Sequence, residues 1–354
     1  MKKITAIALI GIALTGCKKD GQTASKGTNE AGKASAEAPA NTERTEEPAP
    51  EIAEVKPAIS DSAGVYTQSY KLVPGQSYPL TTYTKNVQTL TAPDGKAVSG
   101  TSEATDEMSF TVNKFENNIY DITINLIGKK NSETANGQKI SIDTNSPEPK
   151  DENLKLMWAV NKALAGSQLK MMMKPDGTVL SVSGFDNIYT KVESVIKKHL
   201  KNAEQQQNFM AGFKQSLSDR ALKEQLEKNL NVLPKKGAKI GESWSHTENA
   251  SPDGSVKLTT TYTLKSVDDT RAILSVSGGI PKKSDKRSKD GMTHSISSEM
   301  SQSGTVIFDR NTGWVYNQNI AVKTNQSESI SDGKQSQTIK NNAVTTVIVN
   351  PGNK

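Results

Sequence analysis

The sequence predicts an α+β fold, with two antiparallel β lobes that resemble copies of one another and a central helical block between them. Alternating polar and apolar residues, typical of half-buried strands, occupy residues 66–142 and 240–349. The tripeptide Pro-Asp-Gly occurs three times within or between such segments, and this combination favours tight turns. The intervening residues have helical periodicity. Strongly curved, half-barrel-like sheets with helices across the concave face would suit this order of elements.

Residues 1–16 have the pattern of a bacterial lipoprotein signal peptide. Lys2 and Lys3 precede eleven uncharged residues, too few for a permanent membrane helix, which needs about 20. The sequence Leu-Thr-Gly-Cys ending at Cys17 resembles a lipobox, which predicts cleavage between Gly16 and Cys17 and acylation, for example with palmitate. Lys18 in place of an aspartate favours the outer membrane. The alternative is a lone cysteine beside an ordinary signal peptide.

Residues 17–64 read as the lipidated N-terminus and a disordered linker. This segment is rich in Ala, Glu, Thr, Ser and Pro and has no apolar periodicity. Such a composition cannot bury enough apolar surface to offset the entropy lost on ordering. We expect a spacer that lifts the folded part off the membrane, facing the periplasm or the cell surface.

The two β lobes are predicted at residues 65–150 and 233–354. "PGQSY" in the first parallels "IGESW" in the second, and "FTVNKFENNIYDI" from Phe110 aligns without gaps to "YTLKSVDDTRAIL" from Tyr262. A duplication would explain this match. The alternative is that amphipathic hairpins in general look alike.

The helical block is predicted at residues 151–232, with an inserted hairpin. The first helix ends near Gly166, and a second carries an apolar stripe from Phe185 to Leu200. Ser218 or Asp219 could cap the last helix.

No recognisable catalytic, metal-binding or cofactor-binding pattern occurs in the sequence. His199, His246 and His294 are not spaced as metal ligands, and the lack of a second cysteine excludes intrachain disulfides and cysteine-rich metal sites. The S-x-x-K matches at Ser167–Lys170 and Ser194–Lys197 lack their partner motif. The net charge of +6 is spread along the chain, unlike a nucleic-acid footprint. The sequence therefore predicts a protein that is not an enzyme, has no cofactor or metal and does not bind nucleic acid.

Two segments are candidate contact sites. Met171, Met172 and Met173 form a soft apolar run that could line a lipid pocket, although such a run is more often core beneath a helix. A basic segment, interpreted as a loop, could touch an anionic polymer or lipid headgroups, although a solvated loop is the common alternative. Its basic residues are Lys282, Lys283, Lys286, Arg287 and Lys289.

These landmarks together resemble a family of bacterial envelope lipoproteins known as domain of unknown function 6263. The matching stretches include "YKLVPGQSY", "DTNSPEP", "LKMMMKPDGTVLSVSGFDNI", "LPKKGAKIGESW" and "GTVIFDRNTGWV". The resemblance covers about residues 70–349. It implies no established activity, so no catalytic residues are carried over. The segment "IPKKSDKRSKDG" is longer and more basic than expected for the family.

Two functions are consistent with these features. In the first, a lipid-anchored, non-catalytic envelope protein binds a partner protein or polymer at the membrane surface. In the second, a curved sheet and its helices hold a lipid or another apolar ligand. A filled core with an exposed binding surface would favour the first function, and a large apolar cavity would favour the second.

Overall fold

The computed structural model describes residues 56–135, 137–251 and 253–353. The predicted signal peptide, Gly16, Cys17 and the linker up to residue 55 lie outside these ranges. The strands are β1 (Ile59–Ser62), β2 (Val65–Gln68), β3 (Ser77–Thr91), β4 (Ala97–Glu116), β5 (Ile119–Ala135), β6 (Gln138–Asp143), β7 (Gln168–Met173), β8 (Val179–Ser183), β9 (Ser243–Asn249), β10 (Lys257–Val267), β11 (Arg271–Lys289), β12 (Met292–Asp309), β13 (Val315–Ser331) and β14 (Ser336–Val349). The helices are α1 (Glu152–Leu164), α2 (Phe185–His199), α3 (Ala203–Ser216) and α4 (Asp219–Leu230).

Twelve of these strands form one open antiparallel sheet, which confirms the α+β prediction. The strand order is β8-β7-β5-β4-β3-β14-β13-β12-β11-β10-β9, with β6 paired to β5. The two predicted β lobes are not separate bodies, because β14 pairs with β13 on one side and with β3 on the other. The C-terminal strand therefore joins both lobes into a single sheet.

The two halves of the sheet repeat the same hydrogen-bonding register. Tyr78 pairs with Phe110 in the first half, and Trp244 pairs with Tyr262 in the second. The preceding glycine donates its backbone N–H to the equivalent carbonyl in both halves, Gly75 to Val112 at 2.7 Å and Gly241 to Leu264 at 2.7 Å.

The irregularities of the two halves also coincide. β4 shifts register between Val112 and Lys114, and β10 shifts between Leu264 and Ser266. The strand order β3-β4-β5-β7-β8 corresponds to β9-β10-β11-β12-β13. A β-bulge is a specific backbone feature and is unlike a generic amphipathic pattern. The shared bulge and register support the predicted duplication over the alternative of two unrelated hairpins.

The predicted linker is wrong at its C-terminal end. β1 lies inside the segment that the sequence analysis interpreted as disordered, and Ala58 and Ile59 are buried. Their backbone N–H groups donate to the carbonyl oxygens of Asn311 and Arg310 at 3.1 and 2.9 Å. Tertiary hydrogen bonds to a distant turn order this stretch, and local composition does not report such contacts.

The four helices lie where the helical block was predicted, and side chains cap three of them. Asp151 accepts from Asn153 N at α1, Asn202 from Gln205 N at α3, and Ser218 from Ala221 N at α4. Asp219, the other predicted cap, instead accepts from Val182 N of edge strand β8 at 2.6 Å. Helix α4 thereby provides a hydrogen-bond acceptor for a backbone N–H group of the edge strand β8.

One core cluster contains the helical stripe and one face of both sheet halves. We call this face the inner face and the opposite one the outer face. The predicted stripe of α2 is confirmed, with Phe185, Ile188, Val192 and Ile196 buried. The buried sheet residues in the same cluster include Phe110, Ile122, Leu274, Val306 and Phe308.

Trp314 joins the halves at the centre of this core. Its ring lies 5.1 Å from Phe110, 5.5 Å from Tyr78 and 6.4 Å from Tyr70, centroid to centroid, and its Nε1–H donates to Pro79 O at 2.9 Å. The Tyr70 hydroxyl donates to Leu230 O at the end of α4. Burial raises the pKa of this hydroxyl, so it remains protonated and able to donate. These residues form the aromatic junction.

Among the described residues, no helix is both long enough and apolar enough to cross a membrane.

Replacing Trp314 with alanine should lower the free energy of unfolding by about 3–5 kcal/mol, because it empties the aromatic junction. Guanidinium unfolding of the full chain, followed by circular dichroism, measures the change. Trp244→Ala is the matched control and should cost less, since Trp244 is only partly buried and stacks on one ring, Tyr262. Equal losses in the two variants would contradict the central role of Trp314.

Candidate binding surface

The long strands extend far beyond the core. No residue is buried in the segments 80–109, 126–135, 277–305 and 316–348, which we call the distal sheet. In β4, for example, residues 97–109 lie beyond buried Phe110, which corresponds to roughly 40 Å of extended chain. Both faces of the distal sheet are therefore available to contact other molecules.

Hydroxyl and amide side chains dominate the outer face of the distal sheet. Strand alternation follows from the pairing registers, so odd-numbered residues of β12 and β13 share this face. In the distal parts of β12 and β13 they are Thr293, Ser295, Ser297, Glu299, Ser301, Ser303, Thr305, Asn317, Asn319, Ala321, Lys323, Asn325, Ser327, Ser329 and Ser331.

Cross-strand hydroxyl pairs flank this region on the same face. Thr89 and Ser99 lie 2.8 Å apart between β3 and β4, and Ser245 and Thr261 lie 2.8 Å apart between β10 and β9. The same pairing recurs at Ser77–Thr111 and Ser243–Thr263, each at 2.7 Å, which are equivalent positions of the two halves. The outer face is thus a repetitive polar surface, unlike the apolar inner face.

Two adjoining hollows form a groove in the middle of the outer face. One has a volume of about 400 Å³ and the other about 160 Å³, and they share Lys282, Glu299 and Asn325. The remaining outer-face residues that line them are Ser297, Ser301, Lys323, Ser327, Lys340 and Asn342. We call the two hollows together the lysine groove.

A bend in β11 shapes one wall of the lysine groove. Gly278 and Gly279 have φ values of +139° and +146°, which L side chains rarely adopt. A Cβ at Gly279 would lie 2.0 Å from Met300 O. A bulge follows, because β11 shifts register between Ile280 and Lys283 while β12 remains regular. This bend requires glycine at both positions.

Three lysines and one carboxylate set the charge of the lysine groove. Among the described residues, Lys282, Lys323 and Lys340 have no carboxylate within 4.0 Å. The carboxylate is that of Glu299, and its Oε1 accepts from Asn325 Nδ2 at 2.9 Å. The groove therefore has a net charge of +2 and keeps free amine donors.

Another outer-face carboxylate is already engaged. Tyr83 donates its hydroxyl to Glu103 Oε1 at 2.8 Å, and this hydrogen bond lowers the pKa of the Glu103 carboxyl. Lys85 lies 3.8 Å from the same oxygen. Glu103 remains ionised at neutral pH as part of this small network.

The predicted basic segment is a strand and not a loop. It forms the distal half of β11, which turns into β12 at Asp290 and Gly291. Alternation divides its charges between the faces, and only Lys282 lines the groove. Lys286 is on the outer face, and Lys283, Arg287 and Lys289 are on the inner face. The segment therefore does not form one basic patch.

Two of the inner-face basic groups already have partners. Lys283 donates its Nζ to Ser255 O, and Arg287 Nε lies 2.9 Å from Asp285 Oδ2. Sequence reasoning missed Lys323 and Lys340, because they come from strands that are distant along the chain. Only the sheet register brings them beside Lys282.

The three methionines lie in the packed core. Met171 and Met173 are fully buried opposite Ile122 and Tyr120, and Met172 is half-buried on the other face of β7. Of the two interpretations that the sequence left open, the second is therefore the one observed: the run belongs to the core and not to a lipid pocket. They do not line the cavity described above.

An apolar stripe crosses the tip of the inner face, and sequence reasoning also missed it. Its side chains come from five neighbouring strands and are 37–55% exposed. Their pairing registers place them at adjacent or diagonal positions. The stripe consists of Ile296, Ile330, Ile339, Leu90 and Val98. Strand alternation continued past the core would have indicated it.

The histidines do not form a common site. His294 Nε2 lies 2.6 Å from Glu328 Oε1 on the inner face, and His199 and His246 are exposed elsewhere. In the part of the chain that the structure describes, no three His, Cys, Asp or Glu side chains are grouped as metal ligands.

Three solved structures that match this chain resemble it only weakly. Lipovitellin, in a structure described by its lipid–protein interactions, is 10% identical at a TM-score of 0.35, and the match covers 79% of this chain and 25% of lipovitellin. OccD3 of Pseudomonas aeruginosa is 9% identical at a TM-score of 0.17, with 82% and 68% of the two chains covered. A mutant Rh. blastica porin is 7% identical at 0.17, with 77% and 100% covered. Likenesses at these TM-scores do not establish a shared fold.

The chain matches no curated protein sequence. A family model does match, over residues 117–315, which is more than half of the chain and runs from the β4–β5 turn to the start of β13. The matched region includes the helical block, β5, β9–β12 and the Trp314 position. The chain belongs to the family of unknown function DUF6263.

Proposed function

We propose that this chain is a lipid-anchored, non-catalytic protein of the bacterial envelope that binds a polymer through the outer face of its distal sheet. The observation that carries the proposal is the extent of that face, which is polar, repetitive and outside the core. Hydroxyl and amide groups suit the hydroxyl groups of a polysaccharide. A protein interface usually has an apolar or aromatic centre, whereas the outer-face side chains that line the lysine groove are polar or charged.

The point at which the N-terminal segment enters the fold also supports polymer binding by the distal sheet. Ala58 contacts the β12–β13 turn at Asn311, at the core end of the sheet. The turns at residues 92–96, 290–291 and 332–335 lie at the opposite end. Because a tether from Cys17 would enter at the core end, the distal sheet lies at the end of the fold farther from the point of attachment, where an envelope polymer can reach it.

The lysine groove also lacks the usual arrangement for acid–base catalysis. Its lining contains one carboxylate, Glu299, which is hydrogen-bonded to Asn325, and it contains no histidine. General acid–base chemistry normally pairs two groups of different pKa across a reacting atom. Binding without turnover is therefore the simpler role for this groove.

A second candidate function rests on the apolar stripe of the inner face. Monomeric proteins rarely leave contiguous apolar side chains exposed without a use for them. The stripe crosses five strands, roughly 20 Å at the usual spacing, which is long enough for an acyl chain or another extended apolar ligand. This observation favours the alternative of a lipid or apolar-ligand binder.

Replacing Cys17 with serine should abolish membrane anchoring, because an oxygen nucleophile cannot take the thioether-linked lipid. After expression in a bacterium, wild-type protein should partition into the detergent phase of Triton X-114 and Cys17→Ser protein into the aqueous phase. Ser60→Ala is a matched control within the described chain and should behave like wild type. Detergent partitioning of Cys17→Ser would contradict the anchor.

Replacing Asn325 and Asn342 together with alanine should weaken polymer binding by roughly 5- to 150-fold, because each amide loses a hydrogen bond worth about 0.5–1.5 kcal/mol. Co-sedimentation of the full chain with purified insoluble cell-wall polymer measures the affinity. The control is the double variant Asn187→Ala, Asn208→Ala, whose side chains are exposed on α2 and α3. Equal affinities of the two double variants for the polymer would mean that the polymer binds outside the lysine groove.

Native mass spectrometry of the full chain, gently purified from a bacterial envelope, addresses the second candidate. An apolar ligand on the stripe should appear as a stoichiometric mass excess that organic solvent removes. Ile330→Ser with Ile339→Ser should lose that excess, and the outer-face variant Val87→Ser with Val344→Ser should keep it. A bare wild-type mass, beyond the N-terminal lipid, would exclude this function.

A further inference from the structure

The lysine groove has an excess of positive charge that its own side chains do not neutralise. Ten other lysines of the described chain lie within 4.0 Å of a carboxylate, as Lys129 does with Asp106 at 2.5 Å and Lys197 with Glu193 at 2.7 Å. Lys282, Lys323 and Lys340 have no such partner there. Glu299 is the one carboxylate among the described residues that line the groove, and its Oε1 accepts from Asn325 Nδ2. A ligand entering the groove would meet three ammonium groups and one engaged carboxylate.

Uncharged donors accompany these lysines. No hydrogen bond is made by the side chains of Ser297, Ser301, Ser327 and Asn342 to any described residue. The hydroxyl pairs in the flanking strands, such as Thr89 with Ser99, satisfy each other. The centre of the outer face is therefore where donors remain free for a ligand that offers acceptor oxygens.

The spacing of the three lysines over the two hollows indicates which kind of anion the groove can bind. Lys323 lines the larger hollow, Lys340 lines the smaller, and Lys282 lines both. The groove spans β11 to β14, three strand spacings, or roughly 14 Å. A single small oxyanion cannot reach lysines this far apart. A chain with repeated negative groups can contact them in sequence.

The backbone holds this arrangement open. The glycine bend in β11 and the bulge that follows it place Lys282 at the rim, and no Cβ can be added at Gly279 without meeting Met300 O. Lys323 and Lys340 come from the regular strands β13 and β14. The groove is thus a feature of the strand geometry and does not depend on a loop.

We propose that the lysine groove binds a polymer that carries repeated oxyanion groups, carboxylate or phosphate, along a hydroxyl-bearing backbone. This inference rests on the proposed function and names the chemical class of its polymer. Lys282, Lys323 and Lys340 contact successive anionic groups, and the serine and asparagine donors contact the backbone oxygens. The single carboxylate of Glu299 repels an anionic ligand less than the three lysines attract it.

The test uses the full chain in detergent and two matched probes, polygalacturonate and the same polymer after reduction of its carboxyl groups to alcohols. Isothermal titration at low salt should give binding to polygalacturonate that is at least tenfold tighter than to the reduced polymer. The triple variant K282Q/K323Q/K340Q should bind polygalacturonate roughly tenfold more weakly, since each exposed contact is worth a fraction of a kcal/mol. Added salt should weaken wild-type binding more than binding by the triple variant.

The control triple variant K150Q/K198Q/K201Q removes the same charge from exposed positions around α1 and α2 and should bind like wild type. Glu299→Gln, which removes the groove's carboxylate, should bind polygalacturonate more tightly by a factor of about 2–3. Circular dichroism establishes that every variant is folded. Equal weakening in both triple variants would overturn the groove assignment, because net charge alone would then explain the binding.

The remaining outcomes separate this inference from the proposed function. Equal affinity for both polymers would overturn the anionic class and leave polymer binding intact. No binding of either polymer would count against the proposed function itself. Binding of inorganic phosphate at the three lysines without binding of either polymer would mean an adventitious ion only, and would also overturn the proposal. A polyphosphate that replaces polygalacturonate identifies phosphate as the preferred anion.

Discussion

The aromatic junction is the contact on which the rest of the structure depends. Trp314 belongs to the second half of the sheet, and it packs on Phe110 and Tyr78 of the first half and on Tyr70 of the N-terminal segment. Tyr70 in turn reaches the last helix through Leu230 O. Three regions far apart in the chain thus meet at one indole ring, whose N–H donates to Pro79 O, and Tyr70 links this ring to the last helix.

This junction also explains how half of the sheet can extend without support. The core end carries the buried side chains, the helices and the chain's entry at Ala58. The distal strands gain their order from cross-strand pairing, which begins in register at the core and continues outward. Stability and candidate binding are therefore located at opposite ends of the same strands, so that the binding face can be polar without weakening the core.

The duplicated halves differ where function is proposed. Their core ends match in register, bulge position and hydroxyl pairs, as in Ser77–Thr111 and Ser243–Thr263. The lysine groove lies on the second half and on β14, and it depends on the long β11–β14 hairpins and on Gly278 and Gly279. The second half thus combines the shared scaffold with an elaborated surface, and family membership alone does not specify that surface.

Local sequence determined the elements of this protein, and only the tertiary structure decided its surfaces. Period-two alternation, the Pro-Asp-Gly turns and the stripe on α2 report interactions within a few residues, so they predicted the α+β order and suggested a duplication. The aligned stretches from Phe110 and Tyr262 are the clearest case.

The sequence showed that the run Met171–Met173 is apolar but not whether it lines a pocket or belongs to the core. In the structure, Met171 and Met173 are packed in the core. Local composition suggested that residues 57–62 were disordered, but hydrogen bonds to Asn311 and Arg310 order them. Lys282, Lys323 and Lys340 are separated by up to 58 positions in the sequence. Their meeting depends on the pairing of β11 to β14 and on the bend at Gly279, and both are properties of the whole sheet.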